Sequence, residues 1–219
     1  MTIGDATTLA EQKRRAGRRL IIGFEGKAVT AGLRELVREV RPAGFCLFGR
    51  NVDNPAQVAD LNRELSELMP GALLSVDQEG GRVQRVRGPA TVWPPMRQVG
   101  AAGDLTSAVA RALSRELRAM GFNFNFAPVA DVDSNPDNPV IGDRAVSADP
   151  ASEAAHVQAF VRASHAEGVL TSAKHFPGHG DTDMDSHLDL PRIGRPEHCL
   201  LYTSPSPRDA TLSRMPSSA

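Results

Sequence analysis

The 219-residue sequence has few cysteines and no long apolar run. Its two cysteines, Cys46 and Cys199, lie far apart, which excludes a disulfide framework and fits a reducing compartment. No stretch approaches the ~20 apolar residues that a membrane span needs. Segment 1–19 lacks the apolar stretch of about 7–15 residues that is typical of a signal peptide. These absences predict a cytoplasmic protein.

An excess of one charge is also absent. The chain carries 25 Lys and Arg against 26 Asp and Glu, for a net charge of −1. This balance indicates neither a nucleic-acid footprint nor a patch for anionic membranes. Hydrophobic residues make up 41% of the chain and charged residues 23%, which is typical of a globular domain with a substantial core. We therefore expect no nucleic-acid, membrane or obligate protein partner.

Short apolar runs alternate with segments of helical spacing. Buried strands are predicted within 20–24, 44–48, 72–76, 122–132 and 169–174, and helices over 31–40, 55–68, 104–120 and 150–167. Asn54 and Asp104 are the expected N-caps of the second and third helices, and Asp149-Pro150 is expected to open the fourth. A long loop is predicted from Asp77 to about Val99. Buried strands without alternation, separated by helices, favour a parallel sheet.

Polar residues gather where the predicted strands end. Asp77 follows the third strand, Asp131 and Asp133 lie at the end of the fourth, and Lys174 and His175 end the fifth. This placement is typical of a (β/α)8 barrel or of a doubly wound sheet. No G-x-G-x-x-G follows a strand, which counts against a dinucleotide-binding sheet. The expected fold is α/β, a (β/α)8 TIM-type barrel with five or six of its eight βα units present.

Segment 174–187 is the densest in titratable groups, with one Lys, three His and three Asp. Pro177 and two glycines interrupt any helix, so the segment is predicted to be a loop. Calcium binding is one interpretation, because Asp181, Asp183 and Asp185 have the spacing of an EF-hand loop. The glycine and the closing glutamate of that loop are missing.

Two further interpretations of the same loop stay open besides a purely structural role. Zinc could be held by His175, His179 and His187, although the helical H-E-x-x-H arrangement is absent. Alternatively, Asp185 and His187 lie two apart on an extended chain and share a face. A carboxylate beside an imidazole fixes its tautomer and suits it to proton transfer near neutral pH.

A second cluster begins at Asp77 and ends at Arg85. Gly80 and Gly81 allow tight turns and close approach of the backbone to a ligand. A carboxylate such as that of Asp77 can accept two sugar hydroxyls, and an arginine can hold either the carboxylate or the ligand. Arg144 lies in a later turn and could play the same part. Structural ion pairs are the alternative interpretation of both segments.

Taken together, these segments resemble glycoside hydrolase family 3, in its β-N-acetylglucosaminidase branch. The similarity extends from about Leu20 to Pro191. The motifs that carry it are Phe48-Gly49-Arg50-Asn51, Val76-Asp77-Gln78-Glu79-Gly80-Gly81-Arg82-Val83, Asn125 to Val132, Ile141-Gly142-Asp143-Arg144, and Lys174-His175-Phe176-Pro177-Gly178-His179-Gly180 through Asp185-Ser186-His187. The final Asp-Ser-His is the feature that separates this branch from the family's β-glucosidases.

The resemblance implies a role for each matching residue. His187 would be the general acid/base and Asp185 its orienting partner. Asp77 would accept hydroxyls of the terminal sugar, and that N-acetylglucosamine would also be bound by Arg85, Arg144, Lys174 and His175. The family implies a retaining exo-hydrolase that acts by double displacement on glycosides such as cell-wall muropeptides, with no metal or other cofactor. A catalytically silent sugar-binding module and an N-acetylglucosaminide phosphorylase are the alternatives.

The end of the sequence departs from the family pattern. The family's nucleophile is an aspartate in a later Ser/Thr-Asp motif, and Ser206-Pro207-Arg208-Asp209-Ala210 does not resemble it. Residues 200–219 are rich in Ser and Pro and show no helical or strand period. We therefore expect a partial catalytic barrel over 1–197, a non-family tail over 198–219, and no turnover by this chain alone.

Overall fold

The structure is a computed structural model that describes residues 8–103 and 105–184. The expected acid/base His187, its partner Asp185 and the predicted tail 198–219 lie outside the described residues. The expected helix cap Asp104 also lies outside them. Within the described ranges, no helix is both long and apolar enough to cross a membrane.

Strands and helices alternate along the chain, with a hairpin inserted after the third strand. The strands are β1 (Ile21–Ile22), β2 (Gly44–Leu47), β3 (Leu73–Val76), β4 (Gln78–Gly80), β5 (Val83–Gln84), β6 (Phe124–Asn125) and β7 (Leu170–Thr171). The helices are α1 (Leu9–Gly17), α2 (Ala31–Val40), α3 (Pro55–Leu68), α4 (Met96–Ala101), α5 (Thr106–Ala119) and α6 (Pro150–Ala166). Two 3-10 turns are also present: Gly49–Asn51 follows β2, and Gly142–Arg144 lies between β6 and α6.

The order of the strands decides between the two architectures that the sequence left open. The main sheet is entirely parallel and runs β1-β2-β3-β6-β7, so each strand pairs with the one before it in the sheet. A doubly wound sheet would reverse this order at a switch point, whereas a (β/α)8 barrel does not. The barrel prediction is confirmed over five strands, and the doubly wound alternative is wrong.

Local chemistry explains where the helices begin. The side chains of Thr30 and Asn54 accept hydrogen bonds from the first-turn N–H groups of α2 and α3, and Asp149 does the same for α6. A proline fills the first position of α3 and α6, where no N–H partner is required. The predicted cap Asn54 is therefore confirmed, and α6 begins at Pro150, as the Asp149-Pro150 pair predicted.

The main core lies between the parallel strands and the helices that cover them. All four residues of β2 are buried, and three of the four in β3 are buried, as a sheet covered on both faces requires. The cluster contains Phe45, Leu47, Val58, Leu65, Val76, Leu113, Leu117 and Phe122, among others. This core fixes the strand ends on which the polar residues sit.

One expectation about local structure is wrong, and one helix was missed. The loop predicted from Asp77 to Val99 contains the β4–β5 hairpin and the start of α4, because the Gln78 side chain closes the hairpin. Its amide donates to the Val86 carbonyl (2.7 Å), and its oxygen accepts from the N–H groups of Arg85 (2.9 Å) and Val86 (3.1 Å). Helix α1 was not predicted. Apolar periodicity cannot detect a hairpin closed by polar side chains.

Candidate active site

The candidate site lies at the carboxyl ends of β3 and β7. Asp77 directly follows β3, and Lys174 lies three residues beyond β7, where it bridges to Val129. The Lys174 Nζ atom is 2.6 Å from Asp77 Oδ1. On the other side, Arg85 Nη2 is 3.6 Å from Asp77 Oδ2. The fold thus brings together three of the residues that the sequence predicted as sugar ligands, although 97 residues separate Asp77 from Lys174.

Glu79, to which the sequence analysis gave no role, links Lys174 to one further predicted residue, Arg144. Its Oε1 atom lies 2.5 Å from Lys174 Nζ, and its carboxylate makes two hydrogen bonds to the Arg144 guanidinium, of 2.8 and 2.9 Å. The Glu79 side chain is 2% exposed and that of Arg144 10% exposed. A bidentate pair of this kind fixes the guanidinium plane as well as its charge.

Charge balance keeps Arg144 cationic. Burial acts to lower the pKa of its guanidinium, but the hydrogen bonds and the charge of Glu79 outweigh burial and raise that pKa. Asp131 and Asp77 act in the same direction from farther away. Arg144 therefore offers a permanent positive charge beside the Asp77–Lys174 pair.

His175 is held by a carboxylate that the sequence analysis placed only at a strand end. Asp131 is fully buried, and its Oδ2 atom lies 2.6 Å from His175 Nδ1 and 3.1 Å from the His175 backbone nitrogen. The other oxygen accepts from the His179 N–H at 2.6 Å. One side chain thus holds two histidines of the loop that follows β7.

Polar contacts from the segment after β6 hold the rest of that loop. The Asn138 amide donates to the carbonyls of His179 (2.7 Å) and Thr182 (2.9 Å). Ser134 Oγ donates to Asp181 Oδ1 at 3.1 Å. The backbone of Gly180 lies so close to Val132 that a Cβ atom would fall 1.7 Å from the Val132 oxygen. The loop therefore has a defined conformation up to the last described residues.

The turn that carries Arg144 is fixed by three separate side chains. Arg82, on the hairpin, donates to the carbonyls of Val140 and Ile141. Arg97, at the start of α4, donates to the Gly142 and Ala145 carbonyls and pairs with Asp133 at 2.5 Å. Glu153 of α6 accepts from the N–H groups of Val146 and Ser147.

The described part of the loop, up to residue 184, does not support the calcium and zinc interpretations. Among residues 8–103 and 105–184, no group of three or more His, Cys, Asp or Glu side chains could hold a metal ion. His175 Nδ1 is bound to Asp131, and the His175 and His179 rings lie 6.0 Å apart. The third members of the proposed sets, Asp185 and His187, lie outside the described residues.

The sequence contained one signal for the residues that were missed. Glu79 and Asp131 both lie within about six residues of a predicted strand end, as the assigned residues do, but neither was given a role. Burial distinguishes them: Asp131 is fully buried and Glu79 is 2% exposed. A buried carboxylate must be paired, which singles it out in the structure but not in the sequence.

Comparison with known proteins identifies the family. The sequence profile of the Glycosyl hydrolase family 3 N terminal domain matches residues 16–210, which is most of the chain. The chain belongs to glycoside hydrolase family 3. The family has the barrel fold that the strand order shows, and the resemblance inferred from the motifs is confirmed.

The curated relatives with similar sequences are named beta-hexosaminidases. The chain is 38% identical to the beta-hexosaminidase of Pseudomonas aeruginosa strain PAO1 over 179 residues, which cover 80% of this chain and 54% of that protein. It is 43% identical to beta-hexosaminidase A of Pseudoalteromonas piscicida over 173 residues, or 74% of this chain and 29% of that protein. The chain spans about half the length, or less, of these family 3 relatives.

Solved structures agree with the sequence relatives. A family 3 β-N-acetylglucosaminidase from Paenibacillus sp. FPU-7 superposes with a TM-score of 0.83 at 39% identity, covering 91% of this chain and 39% of that one. Native NagZ from Neisseria gonorrhoeae superposes with a TM-score of 0.77 at 32% identity, covering 83% of this chain and 56% of that one. The family assignment is therefore supported by sequence and by fold.

Proposed function

We propose that this chain forms the sugar-binding part of a retaining β-N-acetylglucosaminidase that releases terminal β-linked N-acetylglucosamine. The observation that carries the proposal is the Asp77 carboxylate at the barrel's carboxyl end, held by Lys174 at 2.6 Å and flanked by Arg85. Ligand sites of barrel enzymes lie at this end. The names of the family 3 relatives supply the sugar class.

The charges around Asp77 suit a neutral, hydroxyl-rich ligand. Asp77 and Glu79 contact three cations, Lys174, Arg85 and Arg144, and the nearby Asp131 carboxylate supplies the third negative charge. The Asp77 side chain is 18% exposed, so part of it can reach a ligand. A carboxylate fixed in this way accepts hydrogen bonds from two hydroxyl groups without reorganising. In this proposal Lys174, Arg85 and Arg144 donate hydrogen bonds to the same sugar. The imidazole ring of His175 also contacts it.

The proposed reaction is a double displacement. A carboxylate attacks the anomeric carbon while His187, oriented by Asp185, protonates the departing oxygen. The same imidazole then removes a proton from the water that releases the sugar. The attacking carboxylate would be the aspartate that the family carries in a later motif. Because this chain has no such motif, we expect it to bind the sugar without turning over a glycoside.

The proposed setting is the cytoplasm, where muropeptide fragments would be the source of the sugar. The β-hexosaminidase relatives support the sugar but not its aglycone.

Binding tests the sugar site directly. We expect N-acetylglucosamine to shift the backbone amide resonances of residues after β3 and β7 in ¹H–¹⁵N spectra of the purified chain. Asp77→Asn removes one charged acceptor and should weaken binding at least about tenfold. The matched control is Asp53→Asn, because Asp53 pairs only with exposed polar side chains such as Lys27. Equal binding by wild type and Asp77→Asn would refute the proposed site.

Turnover tests the catalytic half of the proposal. The purified chain should release no p-nitrophenol from the β-N-acetylglucosaminide, and measurable release would contradict the expected absence of a nucleophile. In a longer protein that contains this chain and is active, His187→Ala should slow poor leaving groups far more than good ones. Equal losses on both substrates would contradict the acid/base role of His187.

A further inference from the structure

We propose that Asp131 is a positioning residue of the sugar site, which fixes the ring of His175 in the tautomer that protonates Nδ1. Asp131 lies in the segment between β6 and the Arg144 turn and is fully buried. It reaches across to the neighbouring strand end, where Lys174 pairs with Val129. The inference rests on the proposed function only in naming N-acetylglucosamine as the ligand.

Three nitrogen atoms of a single loop contact the Asp131 carboxylate. Oδ2 accepts from the His175 backbone nitrogen at 3.1 Å and lies 2.6 Å from the His175 Nδ1 atom. Oδ1 accepts from the His179 backbone nitrogen at 2.6 Å. Each oxygen thus already accepts from a backbone N–H, so the group acts as an acceptor toward the ring as well.

This arrangement settles which ring nitrogen carries the proton. A hydrogen bond of 2.6 Å between an accepting oxygen and Nδ1 requires a hydrogen on Nδ1. In the neutral ring, Nε2 then keeps its lone pair and can accept from a sugar hydroxyl. The opposite tautomer would set the lone pair of Nδ1 against the Asp131 oxygen, so the carboxylate selects one ring state.

Backbone contacts fix the segment from which Asp131 orients the ring. The main chain around Lys174 is fixed to the Asp131 segment by two hydrogen bonds, from Ala130 N to Lys174 O at 2.5 Å and from Lys174 N to Pro128 O at 3.1 Å. Asp131 therefore holds His175 from a segment whose backbone is itself tied to Lys174. Lys174, next to His175, points to Asp77, so the two residues present their groups at one strand end.

The test is the protonation state of the His175 ring, read by ¹⁵N spectroscopy of histidine-labelled chain without sugar. The wild-type ring should carry its proton on Nδ1. Asp131→Ala removes the acceptor, and the ring should then shift to the Nε2–H form that predominates in free imidazole side chains. Asp131→Asn can keep an oxygen facing His175, so it should retain the Nδ1–H form.

Sugar affinity is the second readout. Asp131→Ala should weaken N-acetylglucosamine binding about tenfold, the cost of one hydrogen bond to a misoriented ring, and Asp131→Asn should weaken it less. Asp133→Ala is the matched control. Asp133 lies two residues from Asp131 in the sequence, but its side chain pairs with Arg97 instead of His175. This control should leave the ring state unchanged.

Several outcomes would overturn the proposal. A wild-type ring with its proton on Nε2 does so at once and needs no variant, so the proposal stays testable if Asp131→Ala fails to fold. A ring that stays in the Nδ1–H form in Asp131→Ala, or an equal change in Asp133→Ala, also overturns it. So does loss of binding in Asp131→Asn with the ring state intact. Failure of the wild type to bind the sugar would count against the proposed function alone, because the ring state is measured without ligand.

Discussion

At the scale of single residues, the site depends on buried carboxylates that compensate cations. Glu79 is 2% exposed and contacts both Lys174 and Arg144 at hydrogen-bond distance. Removing one partner of a buried charge cluster is costly because the remaining charges keep their desolvation penalty. The effect should greatly exceed that of an exposed ion pair.

We expect Glu79→Gln to lower the free energy of unfolding by about 3 kcal/mol, since it leaves two cations without their shared anion. Urea denaturation followed by circular dichroism measures the change. Asp60→Asn is the control, because the Asp60–Arg63 pair is 63% exposed on both sides and should contribute within about 0.5 kcal/mol. Similar effects of the two substitutions would show that the buried Glu79 cluster contributes no more to stability than an exposed ion pair.

Glu153 introduces a pH dependence into the turn that carries Arg144. Glu153 is fully buried, and desolvation raises its pKa to about 8. The hydrogen bonds that it accepts from the backbone N–H groups of Ser147 and Val146 act in the opposite direction but are outweighed. The folded state therefore holds a proton on Glu153 that the unfolded chain releases near pH 4.5. The contribution of Glu153 to the free energy of unfolding is fully present below the unfolded pKa of 4.5 and is lost as the pH rises through 8.

His156, one turn further along α6, has the opposite effect at lower pH. Burial lowers the pKa of its imidazole to about 4, so the unfolded state binds the extra proton between about pH 4 and 6.5. Stability from His156 is present above the unfolded pKa and is lost as the pH falls through 4. Between pH 6.5 and 8 the effect of Glu153 on stability can therefore be measured without that of His156.

Between pH 6.5 and 8, the wild type should lose about 1–2 kcal/mol of unfolding free energy relative to Glu153→Gln. The glutamine resembles the protonated acid and does not titrate. Urea melts of both proteins at several pH values measure the difference. Parallel stability profiles would mean that Glu153 titrates in the folded state as it does in the unfolded chain.

At the scale of elements, the loop after β7 is shaped by one close backbone approach. A Cβ atom on Gly180 would lie 1.7 Å from the Val132 oxygen, so no side chain fits without moving one of two backbone segments. The Gly180 carbonyl also accepts from the Asn135 N–H at 3.2 Å. The segment after β6 and the loop after β7 therefore determine each other's position.

We expect Gly180→Ala to lower the free energy of unfolding by about 1–3 kcal/mol, because the added methyl group is overpacked against backbone. It should also weaken N-acetylglucosamine binding, because the loop carries His175. Gly32→Ala in α2 is the control. A Cβ there meets nothing within 4 Å, and the substitution should stabilise the chain by about 0.4–1 kcal/mol. Thermal melts and sugar titrations of both variants provide the measurement.

At the scale of the whole molecule, two hydrophobic clusters share one helix. The larger cluster contains Leu65 with Leu113 and Leu117 of α5, and the smaller contains Phe160 with Ala110 of the same helix. A helix that buries residues in both clusters couples them, because neither can open without exposing part of the other.

We expect a single unfolding transition that variants in either cluster shift together. Leu65→Ala should cost about 2–5 kcal/mol, and Phe160→Leu should move the same midpoint by a smaller amount. Scanning calorimetry of the two variants and the wild type is the measurement. Two separated transitions, each moved by only one of the variants, would contradict the coupling through α5.

Patterns within short segments were sufficient to predict much of the fold. The bounds of α2, the cap Asn54 and the start of α6 agree with the structure, because helix starts depend on side chains within three residues of the cap. The choice of a parallel sheet followed from buried, non-alternating strands. The strands are shorter than predicted, because an apolar run continues past the point where ladder hydrogen bonds end.

The motifs around Asp77, Arg144 and Lys174 were enough to predict the family, because their residue types and spacing can be recognised along the chain without a structure. The order of the strands and the partners of Glu79 and Asp131 became known only from the folded structure. Both depend on contacts between segments tens of residues apart, such as Asp131 with His175. Such contacts arise when strands pair side by side, and no local pattern encodes which buried carboxylate will meet which cation or ring.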